Sequence, residues 1–327
     1  MLAPLRGSGP CLSHRLSCCL FLFALFPGLA ASRQPQPKSD PSVAELKSLA
    51  EAGDVTAQHQ LAQFLLETDP AAPGYALAID WVRAAAAHNN SRAQFLLGFL
   101  FEHGTGLPLD YSKAAEFYQA AALQGHRAAQ NNLAALYQRG LGVPMDLAKA
   151  FDLFLAAARQ SDSVAECNLA GMYSTGSGTP RDLTEAAHWF RVSAAHGNSV
   201  AQYNLGKMYF RGQGVPVDYR QAGQWVLLAA QQGHPQAELD LAFLYETGRG
   251  MPLDYVAAYA WYSRALAAGV NSSASRLNAL THVMTSRQLE EARSLLAALS
   301  STLQLTSYST NSDVSSTSTV ASAFAIP

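Results

Sequence analysis

Residues 201–234 read AQYNLGKMYFRGQGVPVDYRQAGQWVLLAAQQGH, and this stretch decides the fold. Its pattern recurs along the chain at a constant spacing of 36 residues. The clearest columns are one of alanine and one of leucine: Ala57, Ala93, Ala129, Ala165, Ala201 and Ala237, and Leu61, Leu97, Leu133, Leu169, Leu205 and Leu241. Self-similarity at such a period is typical of repeat architectures. The sequence therefore predicts six copies of one unit within residues 54–269.

Each unit is predicted to form two helices. In the third unit, Ala129, Leu133 and Tyr137 have the spacing that places apolar side chains on one face of an α-helix, here called helix A. Residues 147–158 repeat this helical spacing and form helix B of the same unit. Repeated helix pairs stack on one another, so the sequence predicts an all-α, right-handed αα-solenoid of six 36-residue helix-turn-helix repeats with capping helices at both ends.

A glycine-rich loop joins the two helices in five of the six units. In the second unit it reads Gly104-Thr105-Gly106-Leu107-Pro108-Leu109-Asp110. The first glycine suits the left-handed conformation that ends a helix, the proline prevents the helix from continuing, and the aspartate can cap helix B. Phosphate-binding loops follow a strand and occur once, whereas this loop follows a helix and repeats. We therefore interpret it as a structural connection.

The composition indicates a folded protein and excludes several classes of site. The chain has 327 residues, of which 49% are hydrophobic and 14% charged, and its formal net charge is −2. Because nucleic-acid affinity draws mainly on a basic surface, no nucleic-acid partner is expected. The nine histidines contain no His-x-x-x-His pair, and Cys167 is the only cysteine after residue 31. We expect no metal site, no cofactor and no internal disulfide, and an inert role for Cys167.

The two chain ends differ from the units in composition. Residues 1–31 carry Arg6 and Arg15, then an apolar run and small residues, which is the pattern of a secretory signal peptide. A retained membrane anchor is the alternative, although the run is short for a bilayer span, and no span is expected after signal removal. Residues 32–41 are interpreted as a linker and residues 42–53 as an N-terminal capping helix. Residues 270–299 are interpreted as C-terminal capping helices and residues 300–327 as a disordered Ser/Thr-rich tail.

The repeated strings resemble the Sel1-like repeat family, a branch of the tetratricopeptide-like superfamily. They are Ala-x-x-x-Leu-(Gly/Ala)-x-x-Tyr, Gly-x-Gly-(Val/Leu)-Pro-x-Asp, and Ala-x-x-Trp followed by Ala-Ala before a glycine, and residues 201–230 show them most fully. The similarity extends from Gly53 to Gly269, and residues 284–292 resemble the segment that follows such arrays. The resemblance implies an α-solenoid. It also implies an adaptor that binds other proteins, since members share a scaffold rather than a catalytic site.

The candidate binding residues lie on the face of helix A that the fold does not need to bury. Aromatic residues on such a face can mark a binding groove, and in solenoids this side of helix A lines the concave surface. The predicted partner-binding residues are Phe95, Phe99, Tyr203, Lys207, Phe210 and Phe243. An alternative stays open, in which these rings fill the gap between adjacent A helices. A polar ladder on the same helices is interpreted as hydrogen bonds between units: Asn132, Asn168, Asn204 and Asp240.

The sequence therefore predicts a secreted, non-catalytic adaptor that binds a protein or peptide on the concave face of the solenoid. No catalytic motif is present, so the chain is not expected to be an enzyme. A cell-wall or β-lactam hydrolase with an unrecognised site is one alternative, and a structural spacer in an envelope assembly is another. The expected location is the periplasm or the extracellular space, or the lumen of the endoplasmic reticulum if the source is eukaryotic.

Overall fold

A computed structural model of the chain describes residues 43–66 and 74–310. The predicted signal peptide and linker, and the tail after residue 310, lie outside the described residues. The described part contains helices and no strand. Its helices, in chain order, are α1 Val43–Glu51, α2 Val55–Leu66, α3 Gly74–Ala87, α4 Ser91–His103, α5 Tyr111–Leu123, α6 Arg127–Arg139, α7 Leu147–Ala158, α8 Ser163–Thr175, α9 Leu183–Ala195, α10 Ser199–Arg211, α11 Tyr219–Gln231, α12 Pro235–Thr247, α13 Tyr255–Ala267, α14 Ser273–Val283 and α15 Ser286–Thr310.

The helices pair as the sequence predicts. The six units are the pairs α2–α3, α4–α5, α6–α7, α8–α9, α10–α11 and α12–α13, in which the two helices pack against each other. Helix B of each unit also packs against helix A of the next one. This order of contacts confirms an all-α solenoid.

The predicted loop chemistry is also confirmed. Gly104 takes the left-handed conformation, with φ of 66°, and its N–H group donates to the Leu100 carbonyl at the end of α4. Asp110 then accepts a hydrogen bond from the Lys113 N–H in the first turn of α5. The same two caps recur in the four following units. Each loop therefore stops one helix and starts the next.

The second glycine of the loop joins neighbouring units. A Cβ atom at Gly214, in the loop of unit five, would overlap the carbonyl of Leu183, the first residue of helix B in unit four. Gly142, Gly178 and Gly250 meet the backbone of the preceding unit in the same way. Only glycine permits this approach, so backbone touches backbone along the loop edge of the array.

In each of units two to six, a polar pair of side chains links the start of helix A to the end of helix B. In units two, three and five, a glutamine near the start of helix A accepts a hydrogen bond from a glutamine at the end of helix B: the pairs Gln94–Gln124, Gln130–Gln160 and Gln202–Gln232, at 2.7–2.8 Å. In unit four, buried Glu166 takes the place of the first glutamine, and the Nδ1 atom of His196 lies 2.8 Å from its carboxylate. In unit six, Arg264 Nε donates to Glu238 at 2.9 Å. The acceptor side is buried in all five units.

Capping helices cover the two ends of the array. At the start, Leu46 and Ala50 of α1 form a buried cluster with Ala57 and Leu61 of α2. At the other end, the side chains of Thr285 and Gln288 bond to each other's backbone N–H groups and form a capping box before α15. Arg264 Nη1 donates to the Leu299 carbonyl of α15 at 3.1 Å. The helix continues to Thr310, eleven residues beyond the end near Leu299 that the sequence predicts.

Candidate functional site

A pocket of about 220 Å³ opens between the two helices of unit five and helix A of unit six. Helix α10 contributes its last two turns, α11 its middle and α12 its middle. The residues that line the pocket are Gly206, Lys207, Phe210, Arg211, Ala222, Val226, Asp240, Phe243 and Leu244. It therefore brings together three of the six sequence-predicted binding residues, Lys207, Phe210 and Phe243.

The pocket lies where unit five has a short side chain in a helix B column that is filled by rings in units two, three, four and six and by Val82 in unit one. The buried column in helix B reads Tyr118, Phe154, Phe190, Val226 and Tyr262 in units two to six. In unit two, Tyr118 packs against Gly98 of helix A, and in unit five Val226 packs against Gly206 at the same position. Valine leaves the space that a ring fills in the other four units. Phe210 and Phe243 line the sides of that space.

Three charged groups lie in this pocket. Lys207 and Arg211 follow each other by one helical turn on α10, and Asp240 reaches the pocket from α12. The Asp240 carboxylate accepts a hydrogen bond from the Tyr203 hydroxyl. The pocket therefore holds two cations and one carboxylate, and that carboxylate interacts with both cations as well as with the Tyr203 hydroxyl.

Burial shifts the pKa values of these groups. It raises the pKa of Asp240, which the Tyr203 hydroxyl and the two nearby cations partly offset. It lowers the pKa of Lys207, and the positive charge of Arg211 lowers it further. The Asp240 carboxylate acts in the opposite direction and raises the pKa of Lys207, so Lys207 and Asp240 stabilise each other's charged forms.

Tyr203 does not line the pocket and is not a surface contact. Its side chain is only 5% exposed, its ring stacks on His234 with centroids 4.6 Å apart, and Lys207 lies over the same ring at 5.4 Å. This placement matches the alternative in which a ring fills the gap between adjacent A helices.

Phe95 and Phe99 lie in unit two, away from the pocket. Phe95 is half-buried, stacks on His126 with centroids 4.8 Å apart and packs against Tyr118 at 5.7 Å. Phe99 stacks on His103 at 4.1 Å within its own helix. Phe95 therefore also bridges adjacent A helices, and the six predicted residues do not form one continuous surface.

Sequence reasoning missed the residues that shape the pocket, namely Val226, Ala222, Leu244 and Arg211. A weak signal for Val226 was present, since four of the six copies of this position are rings and only units one and five have a valine there. The polar ladder behaves as expected. Asn132 Nδ2 donates to the Tyr118 hydroxyl at 3.1 Å, and Asn168 Nδ2 donates to Asn131 at 3.2 Å, in both cases across a unit boundary.

Other reactive groups offer little chemistry in the described residues. Cys167 is buried, and burial followed by the neighbouring Glu166 raises its pKa to about 12, so the thiol stays protonated at neutral pH. Among residues 43–66 and 74–310, no three His, Cys, Asp or Glu side chains converge in a way that suits a metal ion. Within the same ranges, no helix has the length and apolar character needed to cross a bilayer.

Comparison with known proteins identifies the family. The Sel1 repeat model matches six consecutive segments: residues 55–90, 91–126, 127–162, 163–198, 199–234 and 235–270. The chain belongs to the Sel1 repeat family. The matched Sel1 segments coincide with the six helix pairs, and proteins of this family are generally non-enzymatic scaffolds for protein interactions. No curated protein sequence matches the chain.

Two solved Sel1-type structures are similar to this chain. A protective antigen present in uropathogenic Escherichia coli strains, which displays an SLR fold, is 30% identical with a TM-score of 0.74. That match covers 85% of this chain and 60% of the antigen, so the chain spans well under two thirds of its length. A Sel1 repeat protein from Oxalobacter formigenes is 28% identical with a TM-score of 0.52, covering 69% of this chain and 84% of that protein.

Proposed function

We propose that this Sel1 repeat chain is an exported, non-catalytic scaffold that binds a protein or peptide partner at the pocket between units five and six. The pocket itself is the observation that carries the proposal. Phe210 and Phe243 offer apolar contact area there, and Lys207 and Arg211 offer charge, which is the combination of aromatic and basic residues that dominates many interfaces.

The non-catalytic part of the proposal has two supports. Sel1 repeat proteins are generally scaffolds, and the residues that line the pocket include no serine, threonine, cysteine or histidine. Its ionisable groups are two cations and a carboxylate that is hydrogen-bonded to a buried phenol. Export rests on the signal-peptide pattern of residues 1–31.

A crosslinking pull-down with the full-length chain tests partner binding. The wild type is compared with Phe210→Ala/Phe243→Ala, and with Phe99→Ala as a matched loss of a half-buried ring outside the pocket. We expect a partner that the wild type and Phe99→Ala capture and that the double variant loses while its helical circular dichroism is unchanged. A partner held equally by all three would place the interface elsewhere. Turnover of a reporter β-lactam by the purified chain would contradict the scaffold.

A reporter fusion tests export. Residues 1–41 are fused to a phosphatase that is active only after translocation, and the control replaces the apolar run at residues 20–26 with polar residues. We expect phosphatase activity only for the natural segment. Equal activity of both fusions, or none for the natural one, would contradict export.

A further inference from the structure

The loops between helix A and helix B expose one apolar residue in almost every unit. The residue before the loop aspartate is Leu109, Met145, Arg181, Val217 and Leu253 in units two to six. The stem of each of these residues lies beside the glycine that ends helix A. The four apolar ones are nevertheless more than half exposed, at 57% for Leu109, 67% for Met145, 53% for Val217 and 61% for Leu253. Covering the helix end therefore leaves most of their apolar surface in water.

These five residues form a continuous strip, here called the loop-edge strip, because neighbouring loops touch each other. Gly142 of unit three meets the backbone at Tyr111, and Ser112 Oγ of unit two donates to the Gly142 carbonyl at 3.1 Å. The second loop glycine makes the same close approach in units four to six. Single apolar residues on a surface are ordinary, whereas a contiguous apolar patch is typical of a contact surface. The loop-edge strip is therefore a candidate interface.

The middle of the loop-edge strip is charged. In unit two, Lys113 forms an ion pair with the loop aspartate Asp110 at 3.5 Å, and unit three has the same pair. Unit four has Glu185 in place of the lysine, and its N–H group donates to Asp182 at 3.0 Å. Arg181 precedes Asp182, and its Nε donates to a carbonyl at the end of helix A. All three charged residues are exposed, and none forms an ion pair with a residue in the ranges that the structure describes.

The order of residues in the loop-edge strip is the same from either end: two apolar residues, a charged one, and two apolar residues. In an isologous contact, one surface meets a second copy of itself after a two-fold rotation. Because stacked repeats follow a curve, an axis along the strip would separate the two strips, whereas an axis across the strip keeps them together. With that axis at unit four, units two and three face units six and five of the other copy.

The position of the charges fits this arrangement. A charge in any other unit of the strip would lie against an apolar residue of the second copy, where it would lose water without gaining a partner. At unit four it lies instead against the unit four of the other copy. There the long side chain of Arg181 finds two carboxylates, Asp182 and Glu185, that have no ion pair of their own. The strip is therefore complementary to itself in both polarity and charge.

The loop edge is also large enough for a stable contact. A standard protein interface uses about 20–30 residues on each side. The five loops have seven residues each, residues 104–110, 140–146, 176–182, 212–218 and 248–254, which exceeds that number. An interface of the usual size therefore needs only part of this edge.

We infer that two copies of this chain associate through the loop-edge strip about a two-fold axis at unit four, with Leu109 and Met145 of one copy against Leu253 and Val217 of the other. This surface is separate from the pocket of the proposed function, because no residue of the strip lines that pocket. The dimer therefore stands or falls independently of partner binding there.

Sedimentation velocity with the full-length chain at several concentrations tests the apolar arms of the strip. We expect a wild-type dimer, and a dissociation constant at least about a hundredfold higher for Met145→Glu/Val217→Glu, which buries carboxylates in the contact. Both residues are exposed, so this variant should remain folded. The matched control is Leu123→Glu/Leu228→Glu, which changes two exposed leucines of helix B and should dimerise normally. A monomeric wild type, or equal dissociation constants for the two variants, would overturn the inference.

A charge exchange tests the centre of the strip. Arg181→Glu leaves only carboxylates there, so two such copies should repel each other. Glu185→Arg gives the centre a net positive charge instead. We expect a mixture of the two variants to form a heterodimer at least about tenfold tighter than either homodimer. Equal affinity of the mixed and unmixed pairs would show that the two unit-four centres do not meet, which contradicts the inference.

Photocrosslinking tests the direction of the contact. Benzoylphenylalanine is introduced in place of Leu109, and the product of doubled mass is digested and mapped. We expect a crosslink to the peptide that contains Leu253 of the other copy. A crosslink to the peptide that contains position 109 of the other copy would indicate a parallel contact and would overturn the two-fold axis across unit four.

Discussion

At the residue scale, the polar pair inside each unit shows how charge is matched where side chains are buried. Three units use Gln with Gln, whereas the two units with a buried glutamate supply a histidine or an arginine. In unit six the donor changes position: Ala268 occupies the site of the usual donor, and Arg264, one turn earlier, reaches Glu238 instead. A buried carboxylate without a donor would be costly, which explains why the units with a buried glutamate pair it with a histidine or an arginine rather than with a glutamine.

Arg264→Ala should therefore destabilise the protein by about 3–5 kcal/mol, the cost of leaving one member of a buried ion pair alone. The side chain of Glu238 is only 1% exposed, so its carboxylate depends on Arg264 for a charged partner. Burial already raises the pKa of Glu238, and Arg264 opposes that shift. Once the arginine is removed, the folded state takes up a proton more readily than the unfolded state, and the loss of stability shrinks as the pH falls. Urea unfolding at several pH values measures this.

The control is Glu238→Gln/Arg264→Ala, which gives unit six the glutamine of units two, three and five. Gln202 donates to the Ala194 carbonyl eight residues earlier, and a glutamine at 238 has the Ala230 carbonyl in the same place. We expect the double variant to regain at least about 1 kcal/mol over Arg264→Ala. A double variant no more stable than the single one would show that the buried charge is not the cause.

At the scale of the helix, the N-caps of helix A divide into side chains that accept through an oxygen and histidines that accept through a ring nitrogen. Asn90, Asp162 and Asn198 cap α4, α8 and α10, whereas His126 and His234 cap α6 and α12 through a ring nitrogen that accepts an N–H bond. A histidine can accept this bond only while it is neutral. Burial lowers the pKa of both His126 and His234 and keeps them neutral in the folded state.

Acid should therefore destabilise the array through these two caps. Their folded pKa values lie below the ordinary value of 6.5, so this part of the stability is complete above that pH. It is lost as the pH falls towards the folded pKa values, because the unfolded chain binds protons first. His126→Asn/His234→Asn keeps a cap in each place and removes the titration. We expect a smaller loss of melting temperature between about pH 7.5 and 5.5 than in the wild type.

Some acid sensitivity should remain in this double variant. His59 is also buried, and burial followed by the charge of Arg92 lowers its pKa to about 4. Both proteins contain His59, but the charge of His126 also lowers the pKa of His59, so the single variant His234→Asn serves as the comparison that leaves this pair intact. Parallel curves of melting temperature against pH would contradict the assignment.

At the scale of the whole molecule, the contact between units is closest at the loop edge. There the second loop glycine meets the backbone of the preceding unit, as Gly214 meets Leu183. Gly214→Ala should lower the stability in two ways. An alanine in the left-handed conformation costs about 1–2 kcal/mol, since φ is 70° here. In addition, its Cβ atom would push the loop away from the backbone of the preceding unit.

Gly197→Ala is the matched control, because its φ is 87° and a Cβ atom there meets nothing within 4 Å. It should show the conformational cost alone. We expect Gly214→Ala to be at least about 1 kcal/mol less stable than Gly197→Ala in urea unfolding. Equal stability of the two variants would mean that the units separate without cost at this edge.

The repeat made most of the fold predictable, because each unit carries the same local signals. The loop aspartates and glycines cap the helices as expected, and Asn89 and Ser161 take the left-handed conformation where other units have glycine. The pocket could not be predicted from helix A alone, because its volume depends on the small size of Val226 in helix B. The predicted binding residues fall into two groups for the same reason. Phe210 and Phe243 line the pocket, whereas the rings of Phe95 and Tyr203 stack on histidines of the next unit.

The bond between Arg264 and Leu299 limits how the protein can be rearranged as a set of modules. In units two to five the buried glutamine or glutamate bonds to a side chain of the same unit, and the three glutamines also donate to a helix B carbonyl of the preceding unit. Any preceding copy of the unit supplies that carbonyl, so each of these units could be duplicated or exchanged without leaving the buried group unpaired. The sixth unit satisfies Glu238 with a side chain that also holds the carbonyl of Leu299 in α15. If unit six were moved to the middle of the array, helix A of another unit would follow it in place of the C-terminal helices. The guanidinium of Arg264 would then lose its hydrogen bond to the Leu299 carbonyl. The array can therefore lengthen or shorten by duplication or loss in its interior, but unit six must remain last.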